Sequence, residues 1–334
     1  MSLRSCTSSP DLFDSFLAAP PKNEVLDRIS GLLDWAALGA IMARAYKPGV
    51  GAEGYDPVLL FKLLLLERFY QLSDGDVVWM AKDSLTFRKF LGLGAAAPVP
   101  DDTTLVVFRR RLREAELLEP LFVEVRLQLE ASGVGVREGA IKIVDATIIE
   151  AAVHPPRKPR CEPADGAAPA EAKPPLDPDA DFTVKNGRPR YGFKLHMAQD
   201  RETGLITGHT VTPASVHDSQ VFGELLDGTE GEVLADKAYD SAANRSTLRN
   251  AGTKPSIMKR GRRGRPLGQW WRTRNRSIAR VRGFIEGSNA RLKRFLGCGR
   301  AIYIGLDNTW MQLTMGILAF NLTRAAALLQ GRCA

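Results

Sequence analysis

Three acidic residues that lie far apart in the chain occupy positions suited to metal-dependent chemistry. Asp145 lies inside an apolar, β-branched run, Asp236 follows a second apolar run, and Glu286 is the only acid between Lys254 and Arg300. A carboxylate inside an apolar strand is costly unless a cation or hydrogen bonds compensate it. Carboxylate oxygens suit Mg²⁺ or Mn²⁺, and two such ions about 3.5–4 Å apart can activate the attacking oxygen and stabilise the leaving oxygen at a phosphodiester. The three acids therefore predict phosphodiester chemistry without a covalent protein nucleophile.

Each acid also has a structural explanation that its residue type leaves open. Asp145 could form a salt bridge at a strand end, and Asp236 could serve a turn, where aspartate is common. Glu286 could pair with Arg282, one helical turn earlier, which would stabilise a solvated helix by about 0.2–0.5 kcal/mol. The set favours a metal site, because a surface pair does not explain why one acid stands alone in so basic a stretch.

The helix predicted around Glu286 has two distinct faces. One face is largely apolar and is expected to pack on the core. The neighbouring face carries Arg282, Glu286, Asn289 and Lys293, at spacings of four, three and four residues. These spacings place the four side chains along one side of a helix. We expect Arg282, Asn289 and Lys293 to contact DNA phosphates beside Glu286.

A strongly basic tract precedes that helix. It comprises Lys259, Arg260, Arg262, Arg263, Arg265, Trp270, Trp271, Arg272, Arg274 and Arg276. Cationic side chains suit phosphate contacts and tryptophan rings suit base stacking, so we interpret the first part of the tract as a flexible DNA-binding loop. The alternative is a solvated run of charge, and the interleaved tryptophans favour DNA. Upstream, Arg109, Arg110 and Arg113 share a helix face and could contact DNA as well.

The composition agrees with a polyanionic partner and predicts a cytoplasmic protein. The chain has 334 residues, a net charge of +8 and a pI near 9.4, values that nucleic-acid enzymes share with other basic proteins. The four cysteines are scattered and lack metal-binding spacing, which predicts reduced thiols and no zinc site. No signal peptide is visible, and the most apolar early run, 57–66, is shorter than the roughly 20 residues of a membrane span.

Two regions with different patterns must position these groups. Residues 24–138 have helical periodicity with capped turns, which predicts a helical domain for DNA binding or dimerisation after a flexible arm over residues 1–23. Residues 139–334 predict strands at 141–149, 191–199, 206–212, 232–236 and 256–259, and helices at 219–226, 242–251 and 306–329. That order predicts an α/β fold in which helices flank a mixed sheet. The segment 154–190 contains nine prolines and is predicted to be a mobile insertion.

Several motifs lie around the three acids. They are Val144–Ala151 (VDATIIEA), Tyr191–His196 (YGFKLH), Val216–Ser219 (VHDS), Leu234–Tyr239 (LADKAY) and Arg282–Glu286 (RGFIE). With them the sequence resembles the DDE transposases of bacterial insertion sequences, most closely the insertion sequence five group. Residues 55–72 and 100–105 are similar to that family's helical N-terminal domain. Related enzymes place the third acid in a pattern of Tyr, Arg, Glu and Lys, and here Ala279 replaces the tyrosine.

The resemblance implies a fold and a set of partners. It implies a ribonuclease H-like catalytic domain in which Asp145, Asp236 and Glu286 hold two Mg²⁺ ions, with Mn²⁺ able to substitute. It also implies double-stranded DNA as substrate, both as terminal inverted repeats and as target, and a homodimer that joins two ends in one event. Lys194, within the YGFKLH motif, is expected to contact that DNA. No membrane partner is expected.

Three functions remain in competition at this stage. The leading hypothesis is a transposase that nicks the transposon end and transfers the freed 3′-hydroxyl group to target DNA. A metal-dependent nuclease of the same fold would cleave without strand transfer. A non-catalytic DNA-binding regulator derived from a transposase is the third possibility, and the presence of all three acids argues against it.

Overall fold

The computed structural model describes residues 23–46, 54–94, 96–155, 176–261 and 264–332. Within these ranges, helices precede the first strand: α1 (Glu24–Leu32), α2 (Trp35–Ala43), α3 (Pro57–Tyr70), α4 (Asp74–Asp83), α5 (Leu85–Leu91), α6 (Asp102–Glu114) and α7 (Leu118–Ala131). The helical N-terminal region expected from the sequence is therefore confirmed. The N-terminal arm falls almost wholly outside the described residues.

Short polar side chains begin several of these helices, as the capped turns in the sequence predicted. Asp56 precedes the proline that opens α3 and accepts a backbone N–H at 2.8 Å. Ser84 caps α5 and Asp101 caps α6 in the same way, which satisfies N–H groups that a helix start leaves unpaired. Gly92 ends α5 with a φ of 74°, a left-handed conformation that glycine adopts without steric cost.

A six-stranded mixed sheet follows the helical region. Its strands are β1 (Ala140–Glu150), β2 (Asp181–Lys185), β3 (Arg188–Asp200), β4 (Ile206–Pro213), β5 (Glu230–Ala235) and β6 (Lys254–Ile257). The order is β2-β3-β1-β5-β6, with β4 also paired to β3. The pairs that β3 makes with β1, β2 and β4 are antiparallel, whereas β5 joins β1 and β6 joins β5 in parallel. With helices beside it, this sheet confirms the expected ribonuclease H-like α/β fold.

The remaining helices are α8 (Ala242–Asn250), α9 (Gln269–Phe295) and α10 (Leu306–Arg332). The α-helix predicted at 219–226 is wrong. Two short 3₁₀ helices, Asp218–Gln220 and Phe222–Leu225, stand there instead. In a 3₁₀ helix, side chains three residues apart lie on one side, and both Phe222 and Leu225 are buried. The tighter helix thus buries both apolar side chains in the short connection from β4 to β5.

Helix α10 joins the helical region to the sheet. It packs against α1, α3 and α7 of the helical region and against β4 of the sheet. One hydrophobic cluster accordingly contains Leu64 of α3, Phe193 of β3 and Leu318 of α10. This helix is long and apolar enough to cross a membrane, but 72% of its most apolar window is buried inside the protein. The described structure therefore uses it as a core helix.

The predicted proline-rich insertion is shorter than the sequence suggested. Residues 156–175 lie outside the described residues, so the prediction stands untested there. Residues 181–190, which we assigned to the insertion, form β2 and the start of β3. A two-residue Asn186-Gly187 turn joins these strands, and both residues have positive φ, at 53° and 73°. This turn matches the twist of antiparallel strands, which explains why a hairpin forms despite the polar composition.

Candidate active site

Two neighbouring parallel strands bring Asp145 and Asp236 together. In the pairing of β1 with β5, Val144 lies beside Ala235, and each acid is the next residue along its chain. Paired strands lie about 4.8 Å apart, so the acids stand on adjacent strands at the end of β5. Ligands of α/β sheets commonly bind outside the carboxyl ends of strands. The sheet register therefore brings together two of the three carboxylates that the sequence predicted to share a site.

Asp145 is largely buried and paired with groups from α9. Arg282 donates from Nη2 to its Oδ1 at 2.6 Å, and Asn289 donates from Nδ2 to its Oδ2 at 3.4 Å. Only 17% of the Asp145 side chain is exposed. Burial raises the pKa of Asp145, the Arg282 charge and hydrogen bond act against that rise, and the nearby Asp236 adds to it. Asp145 is therefore a carboxylate whose charge depends on its cationic neighbour.

Asp236 combines a local role with a place in the site. Its Oδ1 accepts the backbone N–H of Lys237 and caps the 3₁₀ helix Lys237–Tyr239, as the turn interpretation expected. The same oxygen lies 3.8 Å from Nη1 of Arg282. Asp236 is more open to solvent than Asp145, with 33% of its side chain exposed. The turn thus fixes the backbone while the carboxylate faces the shared arginine.

Helix α9 carries the third acid along the same cleft. Its buried side includes Ile285 and Leu292, and Gln199 of β3 donates to the Ser288 hydroxyl at 2.7 Å. These contacts turn the predicted polar face toward β1, where Lys293 donates to the carbonyl oxygen of Ile148 at 2.6 Å. Glu286 lies on that face and is exposed. The ion pairs of Arg282 are with Asp145 and Asp236, so the local Arg282–Glu286 pair is not the arrangement observed.

A cleft of about 510 Å³ unites the three acids. Asp145, Asp236 and Glu286 all line it, together with Arg282 and Asn289. Its wall is mostly polar and its mouth is open to solvent, which suits an extended charged substrate better than an apolar ligand. The structure thus places the three predicted acids around one opening, together with three predicted contact residues, Lys194, Arg282 and Asn289.

The donor chemistry suits a hard divalent cation, but no three-carboxylate centre is formed. Among the described residues, no group of three or more His, Cys, Asp or Glu side chains is close enough to hold a metal ion. The guanidinium of Arg282 supplies the positive charge beside Asp145 and Asp236. Buried polar atoms without a hydrogen-bond partner in the described structure also lie here: the Tyr239 hydroxyl, Asn289 Oδ1 and Arg282 Nε. The carboxylates of Asp145 and Asp236 and the unsatisfied oxygens of Tyr239 and Asn289 fit a bound cation, whereas Arg282 Nε is a hydrogen-bond donor that suits a phosphate oxygen.

Two groups in this cleft were missed by the sequence analysis. Tyr239 is buried there, and burial, with the negative charges of Asp218 and Asp145, raises its pKa well above the usual range. Asp218 accepts from Lys194 at 2.9 Å, and Lys194 also donates to the carbonyl oxygen of Val216 at 2.8 Å. Lys194 is thus at the site as predicted, but a neighbouring carboxylate holds its ammonium group. Both missed residues stood within the motifs around the acids, which was the available signal.

Hydrogen bonds hold the first two residues of the basic tract. Asn275 exchanges hydrogen bonds of 2.9 Å with the backbone of Lys259, and Asp240 accepts the Arg260 backbone N–H at 2.9 Å. Lys259 and Arg260 thus lie in a loop, as predicted, and hydrogen bonds from α9 and Asp240 hold their backbone in place. Arg262 and Arg263 lie outside the described residues. Of the other predicted contact residues, Arg265, Trp270 and Arg272 are exposed and Trp271 is half-buried, its ring in edge contact with that of Trp270.

The proposed DNA contact of Arg109 is contradicted by its burial. The side chain is 10% exposed, donates to Asp74 at 2.7 and 2.5 Å, and pairs with Glu67. Its guanidinium therefore neutralises internal acids and has no face for DNA. Arg113, on the same helix, donates to Asn308 of α10. Arg110 is 59% exposed and lies 3.9 Å from the exposed carboxylate of Glu114, a surface pair that leaves its guanidinium accessible to DNA.

Comparison with known proteins finds matching family models. Residues 137–322 match the family model described as Transposase DDE domain, and residues 14–111 match one described as Transposase domain (DUF772). The chain is also similar to the cryo-EM structure of piggyBac transposase synaptic complex with hairpin DNA, with a TM-score of 0.44 and 12% sequence identity, over 93% of this chain and 74% of that chain. The first match spans more than half of the chain and contains all three acids.

Proposed function

The chain belongs to the Transposase DDE domain family, and on this premise we propose that it nicks the ends of an insertion sequence and transfers their 3′-hydroxyl groups to target DNA. The observation that supports this function is that Asp145 and Asp236 both lie beside Arg282, in a cleft that Glu286 also lines. Such a cleft offers carboxylates of suitable chemistry to cations and an open, polar wall to DNA.

The proposed cofactor is a pair of Mg²⁺ ions, for which Mn²⁺ can substitute. Asp145 and Asp236 would hold them, and Glu286 would join when its exposed carboxylate turns inward. Bound ions supply Lewis-acid stabilisation of the attacking and leaving oxygens. Mg²⁺ keeps several waters and commonly binds through few carboxylates plus substrate phosphate, so a centre completed only with DNA is chemically reasonable.

The protein's own groups orient the reacting strand. Arg282 and Asn289 hold Asp145 in one position through its two oxygens, and a fixed carboxylate costs less reorganisation during reaction. Once DNA enters, Arg282 can exchange a carboxylate for a phosphate group, and a guanidinium donates two parallel hydrogen bonds to two phosphate oxygens. Lys194 holds its ammonium at the cleft wall through Asp218 and can contact a neighbouring phosphate.

The finer parts of the proposal concern partners. The substrate is double-stranded DNA, bound at terminal inverted repeats and at a target, by a homodimer in the bacterial cytoplasm. The residues proposed to contact it, besides those of the cleft, are Arg110, Lys259, Arg260, Arg262, Arg263, Arg265, Trp270, Trp271, Arg272 and Lys293. We further propose membership of the insertion sequence five group, and residues 24–138 as the end-binding and dimerisation domain.

Sequencing of reaction junctions tests this function. The full chain is incubated with the DNA that flanks its reading frame and with Mg²⁺ or Mn²⁺, and every product end is sequenced. Joined transposon–target junctions support a transposase, whereas cleaved ends without joining indicate a nuclease. The Asp145→Asn variant should bind ends normally and lose cleavage about a thousandfold, because several kcal/mol of charge stabilisation is lost. Unimpaired cleavage by this variant would remove Asp145 from the active site.

A further inference from the structure

A second cleft adjoins the one that contains the acids. Its volume is about 710 Å³, and Ile148 and Lys185 line both clefts. The two openings therefore follow one another along the carboxyl-terminal half of β1. Four cations, Lys185, Arg188, Arg190 and Lys293, line the second cleft, with Glu150 as its one acid.

The β2–β3 hairpin holds two of these cations in a fixed position. Lys185 and Arg188 face each other across the turn, and the positive φ of Asn186 and Gly187 defines a tight two-residue connection. Both basic side chains are exposed, and neither has an ion-pair partner among the residues that the structure describes. Short hairpin turns keep strand ends in register, so this pair of charges is presented to solvent on a rigid support.

The other two cations are only weakly neutralised. Arg190 pairs with Glu150 at 2.9 Å, but the two side chains are 46% and 56% exposed, and such surface pairs contribute little and exchange readily. Lys293 is fixed by the carbonyl of Ile148 at 2.6 Å. Burial lowers the pKa of Lys293, and the charges of Lys185 and Arg190 lower it further. Cations thus repel one another here, and a bound polyanion would relieve that repulsion.

We propose that this hairpin cleft, formed by Lys185, Arg188, Arg190 and Lys293, binds the sugar-phosphate backbone of the DNA strand that leaves the active-site cleft. The inference rests on the proposed function, since it assigns the path of that same substrate. Four clustered cations beside a single exposed acid favour a ligand with many negatively charged oxygens. The phosphates of a DNA backbone are such a ligand. None of the described residues that line this cleft is aromatic, so it offers no ring for base stacking and the contact is independent of sequence.

The spacing along β1 sets where on the DNA the contact falls. Asp145 and Glu150 are five residues apart on this strand, which corresponds to about 17 Å. Each nucleotide advances about 3.4 Å along a B-form strand. The hairpin therefore contacts the backbone roughly five nucleotides from the phosphate that reacts beside the acids.

Salt-dependent binding tests the contact directly. The Lys185→Gln/Arg188→Gln double variant and the wild type are titrated with a duplex carrying the flanking inverted repeat, at several salt concentrations. Two lost phosphate contacts should flatten the slope of log K against log salt by about two units. The control is Arg137→Gln/Arg201→Gln, which removes the same charge from exposed residues near the opposite end of β1. The control should keep the wild-type slope, and thermal melting verifies the fold of both variants.

Shortened duplexes locate the contact. Trimming one DNA arm to fewer than about five nucleotides beyond the nick should weaken wild-type binding and abolish its difference from the hairpin variant. If the wild type binds and cleaves DNA but the hairpin variant keeps the wild-type slope on every duplex, the hairpin assignment alone is overturned. If the wild type binds no DNA of any kind, the proposed function fails as well. A Gly187→Val variant adds a charge-neutral check, because its strained turn should displace the cations and reproduce the loss.

Discussion

Arg282 of α9 donates from Nη2 to Oδ1 of Asp145 on β1 over 2.6 Å, while its Nη1 lies 3.8 Å from Oδ1 of Asp236. The Arg282 and Asp145 side chains are 11% and 17% exposed, so solvent and salt screen this pair only weakly. One guanidinium thus balances two carboxylates that would otherwise repel each other. In the protein without DNA, Arg282 and a divalent cation should therefore compete for the same two acids.

Removal of the Arg282 charge should strengthen metal binding. In Arg282→Gln, Asp145 and Asp236 lose their cation, and we expect Mn²⁺ to bind the DNA-free protein about tenfold more tightly, equivalent to about 1.4 kcal/mol. Titration followed by Mn²⁺ electron paramagnetic resonance measures this without any need for activity. Arg280→Gln, an exposed change on the same helix, controls for net charge. Weaker Mn²⁺ binding by Arg282→Gln would contradict competition at these acids.

The sequence was enough to bring Asp145 and Asp236 together, because local patterns determine the strands that carry them, whereas it also predicted a metal centre with Glu286 that the described residues do not form. Asp145 and Asp236 were recognisable from apolar runs that become β1 and β5, and the parallel register places them together. The polar face of α9 was recognisable from its spacing. The partner of Arg282 was not, because Glu286 is its neighbour on the helix whereas Asp145 lies 137 positions away. Packing of α9 on the sheet decides that pairing, and no local pattern contains it.

The β2–β3 hairpin shows a different kind of failure. Asn186-Gly187 is a strong signal for a two-residue hairpin turn, yet the proline-rich composition around it led to the prediction of a mobile insertion. The turn conformation prevailed over composition because β3 continues into the buried centre of the sheet. The composition was averaged over the 37 residues of the predicted insertion. It therefore concealed that the end of this segment forms a hairpin.

Arg109 should behave as a structural residue and not as a DNA contact. Arg109→Met leaves Glu67 and Asp74 without this partner, and Glu67 is only 5% exposed. Removing one member of a buried ion pair typically costs about 3–5 kcal/mol, but Glu67 keeps its ion pair with Arg68, so we expect a smaller loss of about 2 kcal/mol in urea unfolding. The neighbouring Arg110→Met, at a site 59% exposed, should change stability by less than about 0.5 kcal/mol. If Arg109→Met were as stable as Arg110→Met but alone lost DNA affinity, Arg109 would again be interpreted as a DNA contact.

Acid should destabilise the junction between the helical region and the sheet at His209. This residue of β4 hydrogen-bonds Thr314 of α10 at 2.8 Å and contacts the Phe122 ring of α7. Burial lowers its pKa to about 4 from 6.5, so the folded state keeps it neutral. Above about pH 6.5, His209 is neutral in both the folded and the unfolded state, so it does not change the free energy of unfolding. As the pH falls toward about 4, the unfolded state binds the proton first, and stability decreases by about 1.4 kcal/mol per pH unit.

Urea unfolding at pH 7.5 and pH 5 measures this effect. His209 alone should account for about 2 kcal/mol of the stability lost between them, so His209→Gln should show a correspondingly smaller decrease. His196, whose pKa burial also lowers to about 4, should keep a residual pH dependence in that variant. His217→Gln, an exposed histidine, should retain the full wild-type decrease. An unchanged decrease in His209→Gln would show that His209 is protonated in the folded protein.

Trp270 offers a test of base stacking at the start of α9. Its ring is 63% exposed, meets the Trp271 ring edge-on at 4.6 Å and lies 5.7 Å from the Arg274 guanidinium. The contacts with Trp271 and Arg274 hold the ring in one orientation. Most of the residue nevertheless stays exposed, which suits stacking on an unpaired base near a DNA end. Stacking of one base contributes about 1–3 kcal/mol, so Trp270→Ala should weaken binding to a frayed end by about tenfold or more. Trp79→Ala, at an equally open position with 61% exposure on α4, is the matched control, and equal losses in both variants would exclude a specific role for Trp270.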